Sequence, residues 1–563
     1  MGNISKQKRD DLIMKIGNIR SFISTAPQDE NTGSLLTYLS ELEKEVKSKK
    51  YGLVFEEHRE AVDELLDTHI PVLTEDKDLF IDNGGQINFL IEGDNLAALR
   101  LLLKTHKGKI DVIYIDPPYN TGSDDFIYND YRVDKLDTFR HSKWLSFMNA
   151  RLPLARQLLS ETGCILISMG EDEVAALKLL CNSIFGEENF LGCFVVQTAP
   201  NARDYGHVGR MHDYALFYAK NADSITTNKL KIVDKKFSYK DSNGGFNIHP
   251  LYNSNEAFTP ENRPNLYYPF YIKPEPDRNG FCELSLDKIE DWIEVFPPVS
   301  VKNSVQFVWR WGKPKSQDNL NVEITGYKMN DGQYRVVQKM RHTEKLIRSI
   351  LTEKEYITRK GTAQLEEIFG RKINFFPKPV GLIEDFLRVT SMSNSTVLDF
   401  FAGSGTTGHA TLKLNAKDGG TRRFILCTNN ENNICRDITY ERIKRVIERE
   451  NYKDSLKYYS IGYIPISDRV YYEYADELLK HVKELVELEN SINFTGNAEI
   501  AIVLTEEELE AFIENVSEYE KCCRLYRGHD ILLSAEQEAK LQEWDITICV
   551  IPDYYYRELE GGR

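Results

Sequence analysis

The sequence predicts an α/β protein built on a mostly parallel, helix-covered sheet. Three observations carry this. Short apolar strands alternate with helices from near Gln86 to Asn221, the alternation is lost between 223 and 372, and it returns from 380 to 450. One sheet made from two blocks of sequence, with a domain inserted between them, satisfies all three. The expected organisation is a helical N-terminal region (1–80), a first half-domain (81–222), an insert (223–372), a second half-domain (373–465) and a small acidic C-terminal α/β domain (466–563).

The elements follow in order. Residues 1–75 read as helical, most clearly LLTYLSELEKEVKSKK (35–50), where apolar residues recur at helical spacing with charges between them. INFLIEGDN reads as strand and turn, NLAALRLLLKTH as helix, and KIDVIYIDPPYN as a buried strand entering a loop. GCILISMG and YALFYAKN are further strands, with the helix EVAALKLLCNSIFG between them. In the insert, Pro, Asn, Tyr and basic residues crowd together, as in PENRPNLYYPFYIKPEPDRNG and VQFVWRWGKPK. The second block reads as a helix over 380–390, the strand STVLDFF, the helix GTTGHATLKLN, the strand FILCTNN and the helix ITYERIKRVIERE.

A chain of 563 residues exceeds one ordinary core, and 41% hydrophobic with 28% charged residues is globular composition. No apolar run is long enough to cross a membrane. The N-terminal MGNISKQKRDD has no signal-peptide core, and Lys6 breaks the myristoylation pattern. The nine cysteines form no C-x-x-C pair, so reduced core thiols and no metal site are expected. The net charge of −16 is uneven: residues 301–372 carry 15 Lys/Arg against 8 Asp/Glu, whereas 467–563 carry 9 against 23. A basic insert with an acidic tail is compatible with a polyanion partner, because affinity depends on local Lys and Arg. The tail reads either as solvated surface or as a face for a basic partner. No GxxxxGK[ST] loop occurs, since Gly312-Lys313 is followed by Pro314, so no ATP hydrolysis is expected.

Two loops carry chemistry. Asp116-Pro117-Pro118-Tyr119 follows the strand DVIYI directly. The exocyclic amine of a nucleobase is a poor nucleophile because its lone pair is delocalised into the ring. A carboxylate (Asp116) and a carbonyl (Pro117) accepting its two N–H groups localise that pair, and the prolines stiffen the loop. Tyr119 suits stacking on a base rotated out of a duplex. The second loop is Asp399-Phe400-Phe401-Ala402-Gly403-Ser404-Gly405-Thr406-Thr407, running from strand into helix. Its glycines allow close backbone approach to a ligand, and the lack of a third glycine at nucleotide spacing disfavours NAD. Asp399 suits the methionine ammonium of S-adenosylmethionine, Phe401 its adenosine, and Asn430 or Glu431 its ribose. Gly93-Asp94-Asn95 fits a cofactor contact or a simple turn. His212 reads as structural. Alternation places Phe307, Trp309 and Trp311 on one core face, leaving Lys313, Lys315, Lys339, Arg341, Lys345 and Arg348 as candidates for phosphate contact.

With both loops present, the chain resembles the amino-methyltransferases of restriction–modification systems. The catalytic loop precedes the cofactor loop, as in their beta group, and DPPY followed by Asn is typical of adenine-N6 enzymes. FFPKPVGLIEDFLR (375–388) is similar to that group's remaining cofactor motif, which implies that Lys378 and Pro379 line the methionine site. Further stretches, KKYGLVFEEH, IEGDNLAAL, DPPYNTGSDDFIYND, ISMGEDEVAALKLLCNSIFGEENF and NNENNICRDITYERIKRVI, resemble modification subunits of type III systems. The resemblance implies a Rossmann-like, S-adenosylmethionine-dependent sheet of seven strands, one of them antiparallel, with the insert as target-recognition domain. It also implies double-stranded DNA as substrate, Gly403, Gly405 and Thr406 in the cofactor loop, a homodimer, a helicase-nuclease restriction subunit as partner, and a cytoplasmic location. Alternatives are methylation of cytosine N4, of RNA or of protein glutamine, an orphan adenine enzyme, and a catalytically silent recognition module. One departure stands out: Met169-Gly170 occupies a strand end where the family often has Ile-Asp.

Overall fold

The computed structural model describes residues 4–25, 32–47, 53, 55–122, 127–128, 131–132, 137–201, 207–232, 235–373, 375–465, 477–552 and 554. Parts of the KKYGLVFEEH and DPPYNTGSDDFIYND stretches and both ends of the acidic tail lie outside them. Two compact units are present, one formed by residues 1–228 with 348–563 and one by 229–347.

The larger unit is organised on ten strands: β1 (His69–Glu75), β2 (Ile87–Glu92), β3 (Ile110–Ile115), β4 (Leu159–Met169), β5 (Phe190–Gln197), β6 (His212–Ala219), β7 (Ile350–Leu351), β8 (Thr396–Asp399), β9 (Arg423–Thr428) and β10 (Ser455–Pro465). They lie in the order β1-β10-β2-β9-β8-β3-β4-β6-β5-β7. The seven strands from β2 to β5 are the sheet the resemblance implies, with β6 antiparallel to both neighbours. The count of seven is corrected to ten. Strand β10 extends the parallel block beyond β2, β1 closes that edge antiparallel, and β7 pairs with β5. Central strands are apolar on both faces because helices cover both: β3 reads IDVIYI with four of its last five residues buried.

The N-terminal region is helical over Ile4–Thr25 (α1), Thr32–Lys47 (α2) and Ala61–Thr68 (α3), but His69–Glu75 is strand rather than helix. Its Pro71 is tolerated because β1 is an edge strand, where a missing N–H costs no ladder bond. Helix α4 (Asn95–His106) follows β2, and α5 (Arg140–Leu158), with Pro153 inside it, leads into β4. Helix α6 (Val174–Phe185) leaves β4. Helices α7 (Thr358–Phe369), α8 (Val380–Thr390) and α9 (Thr406–Asp418) belong to the second block. A π-helical turn at Ile434–Tyr440 opens α10 (Glu441–Glu450). The compact insert is narrower than 223–372, because β7 and α7 pack with the main sheet's unit.

The acidic tail is a small α/β module of three parallel strands, Ile500–Val503, Arg524–Arg527 and Thr547–Val550, with helices Glu506–Glu514 and Ala535–Glu543. It shares the core of the larger unit: Leu485, Val486 and Tyr526 are buried in the same cluster as Leu73 and Tyr459. Lys457, fully buried on β10, lies 2.9 Å from Glu75 and 2.5 Å from Glu487, so a buried ion triad ties the tail to β1 and β10. All nine cysteines are free thiols. Among the described residues there is no helix long and apolar enough to cross a membrane and no cluster suited to a metal.

Candidate active site

Parallel register sets the two chemical loops side by side. Val397 and Leu398 of β8 align with Val112 and Ile113 of β3, so Asp399 and Asp116 leave the sheet at neighbouring strand ends. Chain order reverses here: β8 leads through α9 to β9 on one side, and β3 leads to β4 on the other. Such a switch point opens a crevice at the carboxyl ends of the strands. Asp399 pairs with Leu426 and Glu92 with Thr428, which brings Asp94 and Asn430 to the same edge of the sheet.

The DPPY loop is held from several directions. Trp144 of α5 donates its indole N–H to the Pro118 carbonyl at 2.7 Å. Asn120, at φ 54°, donates to Glu173 at 2.5 Å, and the buried Glu173 also meets His141 at 2.5 Å. The Tyr119 ring lies over Gly170, where a Cβ would come within 2.8 Å of Cδ2. At Met169-Gly170, then, a side chain on residue 170 would press on the tyrosine as this chain places it. Asp116 is part-buried, and its Oδ1 is shielded from solvent without a well-formed hydrogen bond. Burial pushes its carboxyl above the usual range, against the lowering effect of Lys378.

The glycine loop is equally braced. Gly403 (φ 48°) and Gly405 (φ 75°) take left-handed conformations that other residues resist. Asp399 accepts the Phe401 N–H at 3.0 Å and the Thr407 hydroxyl at 2.5 Å, and burial raises its carboxyl to about 7. Phe401 packs on Phe147, 5.7 Å between centroids. The Thr406 hydroxyl turns inward, donating to the Lys378 carbonyl at 3.3 Å and accepting from Arg442 at 2.8 Å. Asp94 caps α4 through the Leu96 and Ala97 N–H groups. Asn430 caps the π-helical turn through the Cys435 and Arg436 N–H groups.

Lys378 joins the two loops. While its carbonyl receives Thr406, its buried ammonium lies 3.3 Å from Asp116, 2.5 Å from the Tyr119 hydroxyl and 3.7 Å from Asp213. It also stands 4.7 Å from the centroid of the Tyr119 ring. Burial works against its charge, but Asp116 and Asp213 carry it above its ordinary value.

Sequence reasoning passed over several of these residues. Asp213 adjoins His212, which is exposed and bonds and packs edge-on to Tyr214. Arg442 is fully buried beneath the glycine loop, donating to the Ser404 carbonyl and hydroxyl as well as to Thr406. Burial pulls it down to about 9. The available signal was a cation at a core position of an amphipathic helix, beside Ile443 and Val446. Arg151, also buried, holds Glu60 at 2.8 Å through two nitrogens and Asn95 at 2.5 Å, and Asn95 donates to the Phe400 carbonyl.

Within the insert, Phe307 and Trp309 are buried and Trp311 half-buried, and the Trp309 indole donates to the Tyr268 carbonyl. Lys339 and Arg341 are not free for phosphate, because both close on Asp241, at 2.8 and 2.6 Å, and Arg341 also holds Glu323. That pairing, Arg341 foremost, holds the Asp241 carboxyl well below its usual range. Lys313 and Lys315 are exposed, lying over the rings of Tyr268 and Trp311.

A family model described as DNA methylase matches residues 110–463. The chain is 34% identical over 387 residues to the Mod subunit of the type III restriction-modification enzyme EcoPI of Escherichia phage P1, covering 62% of this chain and 58% of that one. It is 33% identical over 344 residues to the type II methyltransferase M.KpnI of Klebsiella pneumoniae, covering 60% and 79%. The StyLTI Mod subunit of Salmonella typhimurium (strain LT2) is 31% identical over 375 residues, covering 62% and 53%. The match thus spans little more than half the length of either Mod subunit.

Proposed function

The chain belongs to the N6/N4 DNA methylase family, and from that premise we propose that it transfers a methyl group from S-adenosylmethionine to N6 of adenine in duplex DNA, as the modification subunit of a type III restriction–modification system. The observation that carries the reading is the juncture at Lys378, where one residue touches both the DPPY loop and the glycine loop. The residues fit the cofactor: two left-handed glycines allow close approach, and the Asp399 carboxylate and Phe401 ring stand at the strand end. Asp399, Phe401, Gly403 and Gly405 are assigned to hold it, with Asp94 and Asn430 bordering the ribose end. When bound, the cofactor supplies a sulfonium methyl as electrophile.

The chain's own part is to hold the amine. Asp116, with a shielded Oδ1, accepts one N–H, and the Pro117 carbonyl accepts the other, so the nitrogen lone pair faces the methyl. Tyr119 stacks on the everted ring. With the cofactor held there, its methyl would pass to the nitrogen while sulfur kept the electrons of the C–S bond, and the proton the nitrogen sheds would be taken by Asp116 or by water. No strong general base is required. We assign target recognition to the insert, with Lys313 and Lys315 as phosphate contacts. Self-association is assigned to α1 and α2, which leave Met14, Phe22 and Tyr38 exposed. The restriction subunit is assigned to the acidic tail, and the location is cytoplasmic.

Incubation with labelled S-adenosylmethionine and duplex DNA, followed by nucleoside analysis, tests this reading: N6-methyladenine is expected, and methylated cytosine rejects the adenine assignment. A stand-alone methyltransferase is the second reading, favoured by the 79% coverage of M.KpnI. A helicase-nuclease gene beside this one decides for the type III assignment.

A further inference from the structure

We propose that Lys378 is the positioning residue of the DPPY loop: its ammonium occupies the place of the target amine when no base is present, and passes to Asp213 when a base enters. The inference rests on the methyltransferase reading of the site. A base needs two things there, an acceptor at Asp116 and the face of Tyr119. Lys378 engages both, 3.3 Å from Asp116 and 4.7 Å from the Tyr119 ring centroid, and it donates to the Tyr119 hydroxyl. An incoming amine must displace it. Asp213, 3.7 Å away on β6, is the second carboxylate that keeps the displaced ammonium paired. Only the side chain moves, because the Lys378 carbonyl is tied to Thr406 and Pro379 opens α8.

The same contact fixes the charge of Asp116. The charged and titratable groups around that carboxyl are Tyr114 on its own strand, Tyr119 on its own loop, Asp213 on β6, Asp399 on β8 and Lys378 before α8. Burial and the neighbouring acid Asp213 favour its protonated form, and Lys378 opposes them. The carboxylate accepts an amine N–H more strongly than the protonated acid does. Transfer therefore falls as pH drops through the Asp116 pKa. Removing Lys378 raises that pKa and moves the acid limb to higher pH, because the counter-charge that favours the ionised form is lost. Removing the negative charge of Asp213 moves the limb the other way.

The test is a single-turnover pH profile of methyl transfer to duplex DNA at saturating cofactor, for the full chain and for Lys378→Met, Lys378→Arg and Asp213→Asn, with cofactor affinity measured separately by calorimetry. Lys378→Met is expected to slow transfer at least tenfold at neutral pH and to shift the acid limb up, with cofactor affinity within threefold. Lys378→Arg is expected to restore most of the rate, and Asp213→Asn to shift the limb down. The proposal is overturned if Lys378→Met keeps the normal limb. It is also overturned if that variant loses cofactor affinity more than tenfold at an unchanged saturated rate, which places the lysine in the cofactor site. A wild-type chain that transfers nothing to DNA instead refutes the methyltransferase reading.

Discussion

Gly170→Ala isolates the position of Tyr119 from everything else in the site. A Cβ at Gly170 meets Tyr119 Cδ2 at 2.8 Å, Cε2 at 3.4 Å and Cγ at 3.5 Å. Carbon atoms rest at about 3.5–4.0 Å, so the ring must retreat by about 0.7–1.2 Å. Retreat is resisted, because the Lys378 ammonium engages both the ring and its hydroxyl. Gly170 is not among the glycines at positive φ, so alanine brings no backbone strain. Overpacking of this kind costs about 1–3 kcal/mol. A displacement near 1 Å at a reacting centre costs about 100-fold in rate. The saturated single-turnover rate should therefore fall about 10- to 100-fold, which is about 1.4–2.7 kcal/mol of activation free energy. Cofactor affinity should stay within about twofold, since the three atoms nearest a Cβ at Gly170 all belong to Tyr119. Rapid quench with labelled cofactor measures the rate, and calorimetry the affinity. A rate within twofold of wild type refutes the reasoning, as does an equal loss of cofactor affinity.

Three other outcomes follow. Arg442→Met removes the buried donor to the Ser404 carbonyl and to the Ser404 and Thr406 hydroxyls, costing about 1–3 kcal/mol; cofactor binding should weaken about tenfold by calorimetry while transfer at saturation is retained. Glu484, near Glu487 in the tail, has a carboxyl that burial raises to about 7. Because the folded value exceeds the ordinary one, the group's contribution is fully present below about pH 4 and is lost as pH rises to about 7, by about 1–3 kcal/mol; Glu484→Gln should flatten urea stability across that window. Lys315→Ala should reduce the slope of log affinity for DNA against log salt by about one, whereas Lys339→Met, whose lysine is closed on Asp241, should leave that slope unchanged and destabilise the insert.

The sheet was legible because periodicity reports burial: β3 and β8 are apolar on both faces and end in loops of special composition. The extra edge strands were not. The segment HIPVLTE contains a proline and follows three helices, and only its pairing with β10 makes it a strand. Helix α5 was missed because Pro153 interrupts it and its buried face includes Arg151, whose charge is met by Glu60, 91 positions away, and by Asp94. In the site, Asp116, Tyr119 and Gly403 were readable because their chemistry is local. The direction of the Lys378 side chain was not, because it depends on Asp213, far off in sequence and contributed by a different strand. Lys339 and Arg341 looked available for phosphate until their shared carboxylate, Asp241, came into view.

The central claim is that two loops far apart in the chain form one site with divided duties, Asp116 handling the amine and the glycine loop the cofactor. Measuring transfer and cofactor affinity together for Asp116→Ala tests it most directly. The account predicts no detectable methyl transfer with cofactor affinity close to wild type. Transfer that persists in Asp116→Ala, or cofactor binding that disappears with it, contradicts the division of labour.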